Sequence, residues 1–234
     1  MKKLSTLLLT AFLLFASASY AAGTLEDATK LYEEKNYTEA MTLYRTLAFK
    51  ANAIAQFALG VMYDNGEGVK QDYAEAAKWY KLAAVQGLHQ AQSILGDKYN
   101  NGQEGLNQDY AEAAKWYKLA AEQGDARGQL KLGALYAEGK GVLKDYAEAA
   151  KWLKLAAAQG DKHAQVLLGA MYADGKGMTQ DNVIAHMWLN LAAAQGFKPA
   201  RGARDRIEKL MTQQQIAKAQ KLASQCLARK YKAC

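Results

Sequence analysis

"DYAEAAKWYKLAA" occupies Asp72 to Ala84 and recurs unchanged at Asp109 to Ala121. A third copy, Asp145 to Ala157, differs only by Leu153 in place of the tyrosine. At 100° per residue, Tyr73, Ala76, Ala77, Tyr80, Ala83 and Ala84 fall on one arc of a helix. Trp79 sits at the edge of that arc, and Glu75, Lys78 and Lys81 lie on the other side. Asp72 is suited to be the N-cap, with Glu75 three residues on to reach back, the spacing of a capping box. Asp109 with Glu112 and Asp145 with Glu148 repeat the arrangement. Gly87 is placed to end the helix in a left-handed turn.

The copies belong to a longer period. Trp79, Trp116, Trp152 and Trp188 keep a spacing of 36 or 37 residues. So do Gly60, Gly96, Gly133 and Gly169, and again Gly87, Gly124, Gly160 and Gly196. The extra residue lies in "NGQEGLNQD", where another unit has "NGEGVKQD", so that segment reads as a loop. Ahead of each copied helix comes a shorter motif: "AQFALGVMY" (Ala55 to Tyr63), then "AQSILGDKY", "GQLKLGALY" and "AQVLLGAMY". It reads as a first helix with Ala55, Leu59 and Tyr63 on one face. The mid-helix glycine costs about 1 kcal/mol relative to alanine, and its recurrence implies a close backbone approach. Gly66 and Gly68 suit the tight turn between the two helices. A single helix pair cannot bury its own apolar faces, whereas stacked pairs bury each other's. Repetition is therefore a packing requirement.

"LGVMYDNGEGVKQDYAEAAKWYKLAAVQG" (Leu59 to Gly87) and its three echoes resemble the Sel1-like repeat family, relatives of the tetratricopeptide repeats. The resemblance implies an all-α fold: an α-solenoid of stacked antiparallel helix pairs in a right-handed superhelix, acting as a binding scaffold. Four units are expected at about 53–89, 90–126, 127–162 and 163–199. Residues 22–52 read as a degenerate N-terminal capping pair, and 200–234 as a basic C-terminal capping region. By resemblance to related solenoids, the side of each first helix opposite Ala55, Leu59 and Tyr63 lines a concave groove. Its positions are Phe57, Ala58 and Val61, then Ser93, Ile94 and Asp97, then Leu130, Lys131 and Ala134, then Val166, Leu167 and Ala170. Phe57, Val61, Asp97, Leu130, Lys131 and Val166 are the candidate partner-binding residues. Simple core packing is the alternative for the apolar ones. Asp97 and Lys131 are expected to be accessible, because an unpaired charge has little reason to be buried.

The first 21 residues read as a secretory signal peptide: Lys2 and Lys3, an apolar run from Leu4 to Phe15, then small residues. Cleavage is expected after Ala21, giving a periplasmic or secreted protein with no transmembrane segment. An uncleaved anchor, the alternative, needs a run of about 20 apolar residues. No cysteine follows the cut, which disfavours a lipid anchor. Cys226 and Cys234 are the only cysteines, and in an exported chain they are expected to pair. Two free thiols are the alternative.

The formal charge is +7, and it is uneven. From Lys198 to Cys234 there are ten lysines and arginines against two acids. Export disfavours nucleic acid as their partner. A solvated basic helix is the leading reading, and an anionic membrane surface or an acidic protein is the alternative.

The Gly-x-Gly turns lack the preceding strand and the Gly-Lys-Ser/Thr ending of a phosphate loop. His89, His163 and His186 occupy different repeat positions without the spacing of a helical metal site. No nucleophile motif occurs. The expectation is a non-catalytic scaffold with no metal and no cofactor, whose partner is another protein or peptide. An immunity or inhibitor protein that sequesters an exported effector is the alternative. A cell-wall-directed or β-lactam-hydrolysing enzyme is a more distant one, because relatives described that way carry a cysteine pair in each repeat.

Overall fold

The structure is a computed structural model that describes residues 23–102, 106–231 and 234. Among these residues there are twelve helices and no strand. The signal segment lies outside them, as do residues 103–105 of the loop insertion. Two compact units divide the chain, one ending at Ala76 and one running from Ala77 to Cys234.

The first unit contains α1 (Leu25–Glu33), α2 (Tyr37–Phe49), α3 (Ala53–Asn65) and the start of α4 (Tyr73–Val85). Thr24 closes a capping box with Asp27 at the start of α1. Where the later repeats use glycine, Lys35 and Ala51 adopt left-handed φ values of 64° and 59°. Helices α1 and α2 pack on each other, and α2 packs against α3. This degenerate pair adds two polar ties, Tyr32 Oη donating to Glu67 (2.7 Å) and Arg45 donating to the Tyr63 hydroxyl (2.8 Å).

The second unit holds the rest of α4 and three full pairs. They are α5 (His89–Asn101) with α6 (Tyr110–Glu122), α7 (Ala126–Glu138) with α8 (Tyr146–Ala157), and α9 (Lys162–Asp174) with α10 (Asn182–Ala194). Each helix from α5 to α10 packs on the next. The closing helices α11 (Lys198–Glu208) and α12 (Gln213–Ala228) both pack on α10. The copied arc is the core face: Ala113, Ala114, Tyr117, Ala120 and Ala121 of α6 are buried, with Leu132 and Leu135 of α7 against them. Alanines admit close approach of the helices, and Tyr117 with Tyr110 two turns earlier fills the remaining space. Trp116 and Trp152 are half-buried at the edge of the arc, whereas Trp188 is fully buried.

The second helices start as the sequence requires, with one difference. Asp109 accepts from the amides of Ala111 and Glu112, and Asp145 accepts from those of Ala147 and Glu148. The glutamates do not complete a capping box. Glu112 and Glu148 turn forward to Lys115 and Lys151, one helical turn on. The mid-helix glycines also differ from expectation: at Gly96, Gly133 and Gly169 alike the nearest group is a side chain of the partner helix rather than its backbone. A Cβ at Gly96 would stand 2.6 Å from the Tyr117 ring, and one at Gly133 would stand 2.8 Å from Leu153. It is chiefly a large side chain of the partner helix that fills the notch, with the Ala149 carbonyl at 3.1 Å behind it in the second case.

The Gly-x-Gly turn divides its labour. The first glycine caps the first helix in the left-handed region, as Gly139 does at φ 73°. The second sits against the opening residue of the preceding second helix. Gly68 faces the Tyr37 carbonyl, Gly141 that of Tyr110, and Gly177 that of Tyr146, each too close for a Cβ.

Glutamines stitch the pairs together. Gln92, Gln129 and Gln165, all buried, donate to the carbonyls of Ala84, Ala121 and Ala157 at 3.0–3.2 Å. Each of their side-chain oxygens accepts from the glutamine closing its own pair: Gln123, Gln159 and Gln195, at 2.8–3.0 Å. Gln159 and Gln195 also donate to the carbonyls of Gly124 and Gly160. These bonds take up carbonyls at helix C-termini, which have no partner within their own helix.

The cysteines form a disulfide, Cys226–Cys234, with Cα atoms 5.4 Å apart, inside the usual range. Cys226 is buried in the core of α8, α9 and α10. The Tyr231 ring lies over Gly160. Among the described residues, no helix is long and apolar enough to cross a membrane.

Candidate functional site: the first-helix face of the repeats

The varied side of the first helices in the second unit comprises residues of α5, α7 and α9. Val166, Leu167 and Ala170 of α9 and Ala134 of α7 line two adjoining clefts. The larger, about 450 Å³, is walled by Val166, Ala170, Leu189, Ala203, Ile207 and Leu210, with Arg206 and Asp174 at its edge. Leu210 is 74% exposed. The smaller, about 270 Å³, lies between Ala134, Leu167, Ala170, Met171 and Tyr146, with Glu138, Asp174 and Lys176 as its charged groups. Ala170 and Asp174 of α9 line both, so the two depressions flank that helix. Their walls are apolar and a few charges stand at their rims, a composition that suits peptide anchors.

The remaining candidates divide. Leu130 is half-buried and packs against the core shared by α8, α9 and α10. Val166 both lines the larger cleft and packs against Ala185, Leu189 and Ile207. Phe57 and Val61 lie in the first unit and are half-buried there.

Asp97 is not the accessible charge that sequence reasoning expects. It is buried, with 8% of its surface exposed. The Tyr117 hydroxyl of α6 donates to its Oδ1 at 2.6 Å. Arg127 forms an ion pair with its Oδ2, and Lys131 Nζ stands 3.9 Å from Oδ1. The physical reason is convergence: one residue of α6 and two of α7 supply donors, which makes burial of the carboxylate tolerable. Burial first, then the hydrogen bond and charge of Asp97, hold the Tyr117 phenol well above its ordinary value. Charge reversal at Asp97 would strip Tyr117 and Arg127 of their acceptor, so a mutant of this residue reports on folding before binding. Lys131 keeps about two fifths of its side chain exposed.

Sequence reasoning missed the polar groups around these positions. Asp125, the N-cap of α7, accepts from Ser93 Oγ at 2.6 Å and stands 3.0 Å from His89 Nδ1. His186 is fully buried on α10 and bonded through Nε2 to Glu208 of α11 at 2.7 Å. His163 meets the Phe197 ring edge-on. Among the described residues, no three or more His, Cys, Asp and Glu side chains converge as metal ligands would.

Stacked antiparallel helix pairs with a groove on their first-helix side define an α-solenoid of the repeat-scaffold class. Four consecutive segments, 53–88, 89–125, 126–161 and 162–197, match the model of the Sel1 repeat. Together they cover more than half of the chain, which therefore belongs to the Sel1 repeat family. A Sel1 repeat protein of Oxalobacter formigenes has a similar crystal structure, with a TM-score of 0.72, 32% identity and 85% of each chain covered. Human protein sel-1 homolog 2 is 37% identical over 100 residues, 39% of this chain and 14% of that protein. The HRD3 component of an ERAD-associated E3 ubiquitin-protein ligase from Candida glabrata is 41% identical over 49 residues, 21% of this chain and 6% of that protein. The matched segments are thus small parts of these two longer relatives.

Proposed function

We propose that this chain is an exported, non-catalytic scaffold that binds a protein or peptide along the first-helix face of its repeats. The observation that carries the reading is the pair of apolar depressions flanking α9, lined by Ala134, Val166, Leu167 and Ala170. These positions vary between repeats while the packing positions are copied, so they are free to encode specificity. Leu167 and Ala170 are exposed, so their apolar character is not required for the core. A partner with apolar anchors and a few charges fits, with Arg206, Lys176 and Asp174 at the rim. Membership of a family whose relatives include a named ligase component supports a role in assembly. Export rests on the basic-apolar-small pattern of the first 21 residues and on the bonded cysteine pair, which suits an oxidising compartment.

The test is capture of partners from envelope extract by the tagged mature protein. Leu167→Asp combined with Ala170→Arg fills the depressions with charge and leaves the core untouched. Capture should be lost while the circular dichroism spectrum and melting temperature stay unchanged. Equal capture of the same proteins by wild type and variant would place the binding surface elsewhere.

A further inference from the structure

Aligning the second helices on their N-cap aspartates places Leu191 of α10 level with Leu155 of α8, Leu119 of α6 and Leu82 of α4. Leu191 is fully buried, whereas the other three are 45%, 44% and 49% exposed. The difference is α12. It packs along α10 and brings Ala223 and Cys226 into one cluster with Met187, Trp188 and Leu191. Two neighbouring positions change with the cover. Lys151 and Lys154 of α8, like Lys115 and Lys118 of α6, are replaced on α10 by Met187 and Asn190. The covering helix carries Lys218 and Lys221 and no acid, and such a helix could not be seated on two more lysines without like-charge repulsion. One outer face is thus closed by a helix of this chain and adapted to a basic cover. The other copies keep the leucine in the open and surround it with lysines.

We infer that the outer faces of α6 and α8 dock an amphipathic helix of another protein, apolar on one side and acidic along its flanks. The contact centres on Leu119 and Leu155. Beside Leu155 lies a cleft of about 760 Å³ lined by Lys151, Lys154, Leu155, Ala158, Trp188 and Cys234. Its apolar floor takes a leucine- or isoleucine-sized anchor, and its two ammonium groups take carboxylates. Trp188 and Cys234 form its far wall, so the surface continues directly from the one that α12 and the disulfide-bonded tail already cover. Lys154 has no ion pair among the described residues. Lys115 and Lys151 form ion pairs with partly exposed glutamates on their own helices, and Lys151 also stands over the Trp152 ring; such surface pairs exchange readily for a partner's carboxylates. The occupant is a helix because a helix is what the equivalent face of α10 holds. It is acidic because the lysines stand where α10 has none.

The probe is a fluorescein-labelled peptide of residues 213–228 carrying Lys218→Glu, Lys221→Glu and Cys226→Ser. It is titrated into the disulfide-bonded chain and followed by anisotropy. Saturable binding is expected, at least about tenfold weaker with Leu155→Ser or Lys154→Glu, and weaker at high salt as Debye screening requires. The same peptide with its native lysines should bind at least about tenfold less tightly. The groove variant Leu167→Asp with Ala170→Arg should bind the acidic peptide like wild type, which separates this site from the proposed groove. The inference is overturned by absence of saturable binding or by equal affinity for the basic peptide. Undiminished binding to both outer-face variants, or loss of binding in the groove variant, overturns it as well. Both altered residues are exposed, and a circular dichroism spectrum matching wild type confirms that the comparison is between folded proteins.

Discussion

Asp97→Ala followed by Tyr117→Phe should first destabilise the protein and then restore part of what was lost. Tyr117 is fully buried, and its hydroxyl donates to Asp97 at 2.6 Å. Removing the carboxylate strands that hydroxyl away from water, at a cost of about 1–3 kcal/mol. Loss of the pairs with Arg127 and Lys131, both well exposed, adds about 0–1 kcal/mol. Relief of the carboxylate's desolvation offsets a part, so Asp97→Ala is expected to cost about 1–4 kcal/mol. Adding Tyr117→Phe keeps the ring that fills the notch at Gly96 and deletes the stranded hydroxyl, returning about 1–3 kcal/mol. In the wild-type background the same change should cost about 1–2 kcal/mol, because it removes a donor from a charged acceptor. The sign therefore reverses with background, and the coupling emerges from a double-mutant cycle. Urea unfolding followed by far-UV circular dichroism supplies the four free energies, with the slope held common. If the double variant is less stable than Asp97→Ala alone, the Tyr117 hydroxyl does not depend on Asp97 and the buried cluster is misassigned.

The raised Tyr117 phenol gives a signed pH effect. An unfolded tyrosine ionises near pH ~10, while the folded one retains its proton, so the stability it contributes is complete below that pH and lost as pH rises beyond it. Midpoints measured from about pH 9 to 11 should fall more steeply for wild type than for Tyr117→Phe, and identical slopes would refute the assignment. Gln159→Ala removes bonds to the Gly124 carbonyl and the Gln129 side chain and should cost about 1–2 kcal/mol in the same urea assay; a change within error would show that the glutamine stitch is ornamental. Gly124→Ala meets no neighbour within 4 Å and should cost only the left-handed backbone penalty of about 1–2 kcal/mol. Gly141→Ala collides in addition with the Tyr110 carbonyl and should cost about 2–5 kcal/mol. Equal costs at the two glycines would contradict the close approach between pairs.

The fold was legible because repetition multiplies a weak signal. One Tyr-Ala-x-Ala-Ala-x-Trp segment is compatible with many helical proteins, but copies 36 or 37 residues apart leave stacking as the way to bury the same face each time. N-cap aspartates and helix-ending glycines were readable for a similar reason: capping and left-handed φ are local and depend on residues three or four apart. Even the glutamines before and after each turn were visible as a period, since Gln92, Gln129 and Gln165 recur, as do Gln123, Gln159 and Gln195. What the period could not convey is that one series bonds the other within each helix pair, because the partners lie about 30 residues apart.

The fate of individual charges and apolar side chains on the helix surfaces belonged to tertiary structure alone. A helical wheel assigns Asp97 a direction but not a depth, and its burial follows from three donors on two other helices. Leu155 and Leu191 hold the same position in the repeat, yet one is open and the other sealed, because α12 returns to cover α10. Periodicity along the chain fixes which residues share a face. Which faces meet is set by long-range packing, and there the depressions at Ala170 and the open outer leucines take their places.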